Sequence, residues 1–321
     1  MLPACLKIIL KFLPGSYLGW SLGSNHAANV FGPQVNSGTI KYRNAIILAA
    51  AFIVVGAVLE GRKCFSIIGG ISDLVLVTAI ISTLAAGLTV NLMSYLGLPV
   101  STTQAIVGSI IGLSLLKGNP IDYTTVTKIF ICWILTPVGA IIIAFISYNL
   151  LALIWQKRTR NLVTFSLMVR VLSILIGCYA AYSLGANNVA NVMGTFVGAN
   201  ALAPFSATIL GGISISAGVL TYSRNVMYTV GKKITPLDPF SALIAVLAEA
   251  ITLHLFAQIG VPVSSSQAVV GAVVGVGLVK GTRMINRITL IIILAGWILT
   301  LLSSAAAAYA LGWMTGTLLQ A

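Results

Sequence analysis

The chain has 321 residues, of which 58% are hydrophobic and 7% charged, and its mean hydropathy is +1.05. A soluble domain carries roughly 25% charged residues, so the composition excludes one and indicates a polytopic membrane protein. Five acids face 18 Lys and Arg, a formal charge of +13, but this excess lies in short loops between apolar runs, which is the mark of membrane topology rather than of nucleic-acid binding.

A bilayer core about 30 Å thick needs roughly 20 apolar helical residues, and each half of the chain offers five segments on that test. In the first half these are Phe12 to Val35, Asn44 to Leu59, Leu74 to Tyr95, Val100 to Leu116 and Val126 to Trp155. Their counterparts are Met168 to Val197, Ala207 to Tyr222, Phe240 to Gln258, Val263 to Val279 and Ile288 to Met314. The first of each five is interrupted by Gly and Asn, and the fourth is short and starts at a proline, so these two are expected to be broken or re-entrant. The fold class predicted is an all-α polytopic membrane protein made of two inverted-topology repeats, 1–160 and 161–321, intertwined as one unit.

An odd number of crossings per half inverts the second half, and the basic residues test this. With the N-terminus outside, the inner side receives Lys41 and Arg43, then Lys157, Arg158 and Arg160, then Arg224, Lys232 and Lys233, then Lys280, Arg283 and Arg287. The outer side receives Lys7, Lys11, Arg62, Lys63, Lys117 and Lys128, with Arg170 left at a helix start. This asymmetry predicts that both termini are extracellular. The four cysteines form no C-x-x-C pair and indicate neither a zinc site nor a disulfide framework.

Two stretches are duplicated. G-S-N-H-A-A-N-V-F-G at Gly23 to Gly32 returns 162 positions later as G-A-N-N-V-A-N-V-M-G at Gly185 to Gly194. Leu98 to Gly118, containing P-V-S-T-T-Q, returns 163 positions later at Val261 to Gly281 with P-V-S-S-S-Q. A proline followed by hydroxyl residues and a long Ala, Val, Ile and Gly run reads as a helix start that Ser101, Thr102 and Thr103, or Ser264, Ser265 and Ser266, can cap. Free N–H groups and the dipole at such a start favour an anion, and inverted repeats place substrate sites where half-helix ends meet. The bland alternative is that these hydroxyls bond neighbouring helices while Gly108, Gly112, Gly271 and Gly275 allow close packing. Asn25, Asn29, Asn187 and Asn191 are either interhelical glue or ligands, because buried amides in hydrocarbon need a partner. Of the ionisable groups inside membrane segments, Glu249 and His26 are candidates for a proton relay, whereas His254, near a segment end, reads as interfacial.

These four motifs resemble the inorganic phosphate transporter (PiT) family of secondary carriers, whose halves each carry G-A-N-D-x-A-N and P-V-S-T-T-H; a sulfate-permease-like member fits the same pattern. The resemblance covers nearly the whole chain. It implies inverted repeats, symport of phosphate with sodium or protons, a coupling-ion or substrate site at Asn25, His26, Asn29, Asn187, Asn188 and Asn191, and an oxyanion site at Ser101, Thr102, Thr103, Gln104, Ser264, Ser265, Ser266 and Gln267. The chain departs from the family at His26 and Asn188, where the motif has Asp, and at Gln104 and Gln267, where it commonly has His. A desolvated sodium ion is ordinarily helped by a carboxylate, so sodium coupling is not expected to be strict. A carboxylate can also accept the proton that phosphate keeps and sulfate lacks, so its loss makes sulfate a serious alternative substrate.

The function expected is therefore an ion-coupled symporter of a tetrahedral inorganic oxyanion, phosphate first. The alternatives are a proton-coupled sulfate permease and, with less support, an uncoupled anion channel. No enzyme motif is present, and no cofactor or metal is expected beyond a coupling H+ or Na+. The partners expected are phosphate or sulfate, the lipid bilayer and a second copy of the chain, with no nucleic acid. Short loops suit a multi-pass protein of a prokaryotic plasma membrane.

Overall fold

The computed structural model describes residues 4–36, 38–96, 100–158, 161–233, 237–281 and 287–318. Both chain ends, Pro99, Arg160 and Arg283 lie outside this set, as do the side chains of Lys7, Lys157, Arg158, Lys232, Lys233 and Arg287. The described residues form α1 (Ala4–Asn36), α2 (Tyr42–Glu60), a 3-10 turn (Gly61–Cys64), α3 (Phe65–Gly69), α4 (Leu76–Tyr95), α5 (Thr102–Lys117) and α6 (Tyr123–Arg158). They continue as α7 (Leu162–Gly198), α8 (Pro204–Lys233), α9 (Pro239–Ile259), α10 (Ser265–Lys280) and α11 (Arg287–Leu318). Seven of these helices are long and apolar enough to cross a membrane, and α5 and α10 are shorter apolar helices.

Helices in lipid gain no hydrophobic drive from pairing, so close backbone approach at small residues must hold them together. Glycines do this in matched pairs across the duplication. Gly23 lies under the Ile215 carbonyl and Gly185 under the Ile53 carbonyl; Gly56 lies under the Tyr182 carbonyl and Gly218 under that of Trp20. Gly108 and Gly112 meet the carbonyls of Leu301 and Ala305 on α11, while Gly271 and Gly275 meet those of Pro137 and Ile141 on α6. A Cβ at any of these positions would overlap backbone. The packing follows the same exchange: α1 lies on α8 and α7 on α2, α5 on α11 and α10 on α6, α4 on α5 and α9 on α10.

The contacts also give direction. Phe12 stacks edge-on against Phe196, whereas Phe31 covers Gly177, so α1 and α7 run antiparallel. Ser214 faces Gly19 and Asn36 donates to the Met227 carbonyl at 2.9 Å, so α1 and α8 run parallel.

One expectation changes here. The Gly and Asn interruptions do not break α1 or α7, which are continuous; their glycines are consumed by close packing, and the asparagines project into polar contacts without unwinding the helix. The break falls instead in α2, at the 3-10 turn after Glu60. The proline-initiated segments do form the short helices α5 and α10, and Asp238 caps α9 by accepting from Phe240 N at 3.1 Å and Ser241 N at 3.0 Å. Burial alone would raise the Asp238 carboxyl, but hydrogen bonds from Lys280 and Ser241 outweigh it and hold the group below the usual carboxylate range.

Candidate functional site

The starts of α5 and α10 meet inside the protein. Ser101 and Ser264 are their N-caps, each accepting from the backbone N–H three residues on, of Gln104 and Gln267, at 3.3 Å. This is the arrangement that serine prefers at a helix start. Ser264 is also paired with Ser266, Oγ to Oγ at 2.8 Å. Thr103 Oγ1 donates to the carbonyl of Val263, just ahead of α10, at 3.1 Å. The two positive helix ends are thereby tied together.

The duplicated Asn motifs close this junction from both sides. On α1, Asn29 Nδ2 and Ser265 Oγ face His26 Nδ1 at 3.3 and 2.8 Å. An amide N–H can only donate, so Nδ1 accepts and the ring proton sits on Nε2, directed at Thr102 Oγ1 at 3.4 Å. His26 therefore touches the starts of both short helices. On α7, Asn191 Nδ2 donates to Thr103 Oγ1 at 2.9 Å and to Asn188 Oδ1 at 3.0 Å. Asn187 Oδ1 accepts from Val263 N at 3.0 Å while its Nδ2 donates to the Leu253 carbonyl at 3.1 Å. It fixes the extended lead into α10.

Thr102, Thr103 and Ser265 are each 1% exposed, so the junction is closed to solvent. Within it the side-chain oxygens of Gln104, Gln267 and Asn191 and the amide nitrogen of Asn188 are buried without a hydrogen-bond partner. Each such orphan costs about 1–3 kcal/mol, and a polar ligand is what would satisfy them. The hydrogen-bonded residues of the junction include no carboxylate. Chemically the site can hold a small anion, with hydroxyls, amides and helix ends as donors and three amide oxygens as acceptors.

Not every expected residue joins it. Asn25 is half-buried and donates to Ser21 O on its own helix at 3.1 Å. Glu249 is buried in α9, and neither of its oxygens has a hydrogen-bond partner. Among the described residues no three His, Cys, Asp or Glu side chains gather as a metal site. His254, read as interfacial, lies near the end of α9 and bonds Tyr179 and Glu60. Position alone could not reveal this, because Glu60 is 194 residues away in sequence.

A sequence profile of the phosphate transporter family matches residues 22–308. The provisionally named phosphate permease MJ0630 of Methanocaldococcus jannaschii is 30% identical over 91% of this chain and 93% of its own. The inorganic phosphate transporter 2-1, chloroplastic, of Arabidopsis thaliana is 24% identical over 94% of this chain and 70% of its own. Among solved structures, the sodium-dependent phosphate transporter superposes with a TM-score of 0.86 at 26% identity, covering 96% of this chain and 98% of that one.

Proposed function

The chain belongs to the phosphate transporter family, and from that premise we propose that it is a secondary active carrier of inorganic phosphate. The observation that carries this reading is the closed junction of two helix starts, with His26 between Thr102 and Ser265. Two helix dipoles and several hydroxyl and amide donors suit a tetrahedral oxyanion. The unpartnered oxygens of Gln104, Gln267 and Asn191 offer acceptors for the proton that phosphate retains. A junction closed to solvent supports alternating access over an open channel.

The antiparallel crossing of α1 and α7 supports two halves, 1–160 and 161–321, inverted in the membrane around this site. Membrane polarity then follows the basic residues, with both termini outside a plasma membrane. A second reading, proton-coupled sulfate transport, is favoured by one observation: His26 and Asn188 stand where the family motif has aspartate, so no carboxylate accepts from the anion. For the same reason the coupling ion in our reading is H+ rather than Na+.

The test is uptake of labelled phosphate and labelled sulfate into proteoliposomes, each against the unlabelled competitor, for wild type and for Thr102→Val with Ser265→Ala. Each hydrogen bond to a charged group contributes about 1.5–3 kcal/mol, so the double variant should bind the anion at least about a hundredfold more weakly. Phosphate uptake that sulfate does not inhibit supports the first reading, and the converse result supports the second. Wild-type affinity in the double variant removes the site assignment.

A further inference from the structure

We propose that Glu60 and His254 form a proton-binding site coupled to movement of the anion, an inference that rests on the carrier reading above. The 3-10 break after Glu60 brings its carboxylate and Lys63 against the last turns of α9. His254 Nε2 lies 2.9 Å from Glu60 Oε2, and the Tyr179 hydroxyl on α7 meets the other ring nitrogen, Nδ1, at 2.8 Å. Gln258, one turn on from His254, donates to the same carboxylate oxygen at 2.6 Å and accepts from Lys63 Nζ at 2.5 Å. Gln258 Nε2 also lies 2.7 Å from His254 Nε2 and donates to it when the ring is neutral, with the Nδ1–H directed at the Tyr179 hydroxyl. Each ring nitrogen still has an oxygen within reach, Glu60 Oε2 for Nε2 and the Tyr179 hydroxyl for Nδ1. The imidazole can take a second proton with neither N–H left unpaired, and Glu60 supplies the counter-charge. The side chains of His254 and Glu60 remain 26% and 21% exposed, so a proton can reach them.

The duplication supplies its own control. Tyr179 and His254 correspond to Tyr17 and Asn91, 162 and 163 positions earlier, and the same hydrogen bond is present there, with Asn91 Nδ2 donating to the Tyr17 hydroxyl. Glu60 corresponds to Tyr222, which packs on Trp20. Trp20 is in turn the counterpart of Tyr182, whose ring lies 5.7 Å from that of His254. One copy thus closes the contact with neutral groups. The other copy bears the desolvation cost of an imidazole, a carboxylate and an ammonium without a structural need that the neutral copy leaves unmet.

The path to the anion is short. The carbonyl of Leu253, beside His254, is held by Asn187, which also holds Val263 N at the lead into α10. A proton from the acidic face binds Nε2 in place of the Gln258 N–H and ties α9 to Glu60 by an ion pair. When it leaves to water, the ion pair is lost and only the neutral Gln258 amide joins α9 to Glu60, so the tie to α9 weakens, and with it the start of α10. The other titratable groups presented to His254 by packed elements are Tyr179 and Tyr182 of α7 and Lys63 and the buried Cys64 of the 3-10 turn. Among the described residues no hydrogen bond, ion pair or ring contact joins His254 to α1, α6 or α10.

The experiment uses proteoliposomes with the membrane potential clamped at zero, comparing wild type, His254→Asn, which copies the neutral half, and Glu60→Gln. Exchange of labelled phosphate or sulfate at equal pH reads the carrier itself. A one-unit gradient, acidic outside, then reads coupling, and each coupled proton can drive accumulation of about tenfold. We expect wild type to accumulate the anion and both variants to exchange it with an accumulation ratio of about one. Accumulation by His254→Asn equal to wild type overturns the proposal, and so does loss of exchange in both variants. Exchange without accumulation in wild type overturns it while leaving the carrier reading intact. Absence of exchange in wild type overturns the carrier reading, and the proposal with it.

Discussion

His26 occupies the place of an aspartate in the family motif, and its surroundings show what the change does. A ring that accepts from Asn29 and Ser265 and donates toward Thr102 bridges two helix starts without adding negative charge to the site we propose for an anion. A carboxylate there would add attraction for a cation of about 4 kcal/mol at 4 Å and an effective dielectric near 20, before desolvation. His26→Asp should therefore gain sodium-stimulated uptake, by at least about tenfold, measured as labelled-anion uptake in sodium against choline medium. Uptake that stays indifferent to sodium would mean that position 26 does not set the coupling ion. The residues of this site were legible because each motif occurs twice, so His26, Asn29, Asn187, Asn188 and Asn191 could be singled out without coordinates. Their division of labour was not. Ser101 and Ser264 turn out to cap helices, so Ala there costs about 1 kcal/mol each in folding, and Thr102 and Ser265 are the cleaner probes. The pairing of His254 with Glu60 had no local signal, because it depends on a helix break that only packing produces.

At the level of elements, the duplicated glycines bring the helices together, and their spacing in sequence announced small-residue packing. What could not be read was the partner: each glycine of one copy receives a carbonyl from the other copy, a relation across more than a hundred residues. Gly185→Ala would place its Cβ 2.8 Å from the Ile53 carbonyl carbon, and neither backbone can yield without moving a helix. Overpacking of this kind costs about 1–3 kcal/mol, so the thermal midpoint in detergent should fall. Gly32→Ala is the matched control. Its Cβ would find nothing nearer than 3.8 Å, and replacing a helical glycine with alanine gains up to about 1 kcal/mol, so its midpoint should hold or rise. Equal midpoints for the two variants would show that the α2–α7 approach is not a tight one. The same tight packing explains why α1 and α7 are unbroken although Gly and Asn punctuate them. Propensity argues for interruption, but a glycine buried against a neighbouring backbone is fixed by that neighbour, and the helix runs through.

For the whole molecule, the consequence of antiparallel α1 and α7 is that two duplicated loops must emerge on opposite faces. Lys41 and Arg43 follow α1, whereas the loop after α7, Ala199 to Ala203, carries no charge. Basic residues are retained on the cytoplasmic side, so the proposed topology puts the charged loop inside and the neutral one outside. In the proposed topology the N-terminal end of α1 is outside and that of α7 inside, and the two short helices come from halves of opposite orientation. Single cysteines at Lys41 and Asn200, in a background with the four native cysteines replaced, should respond differently to a membrane-impermeant thiol reagent applied to intact cells. Asn200→Cys should label, and Lys41→Cys should label only after the membrane is opened. Labelling of both from one side would leave the antiparallel crossing as packing within a single orientation. The pseudo-symmetric exchange of access around the closed junction would then have no structural basis. Opposite labelling would support two halves inverted in the membrane around the junction, the arrangement that alternating access by exchange of their conformations requires.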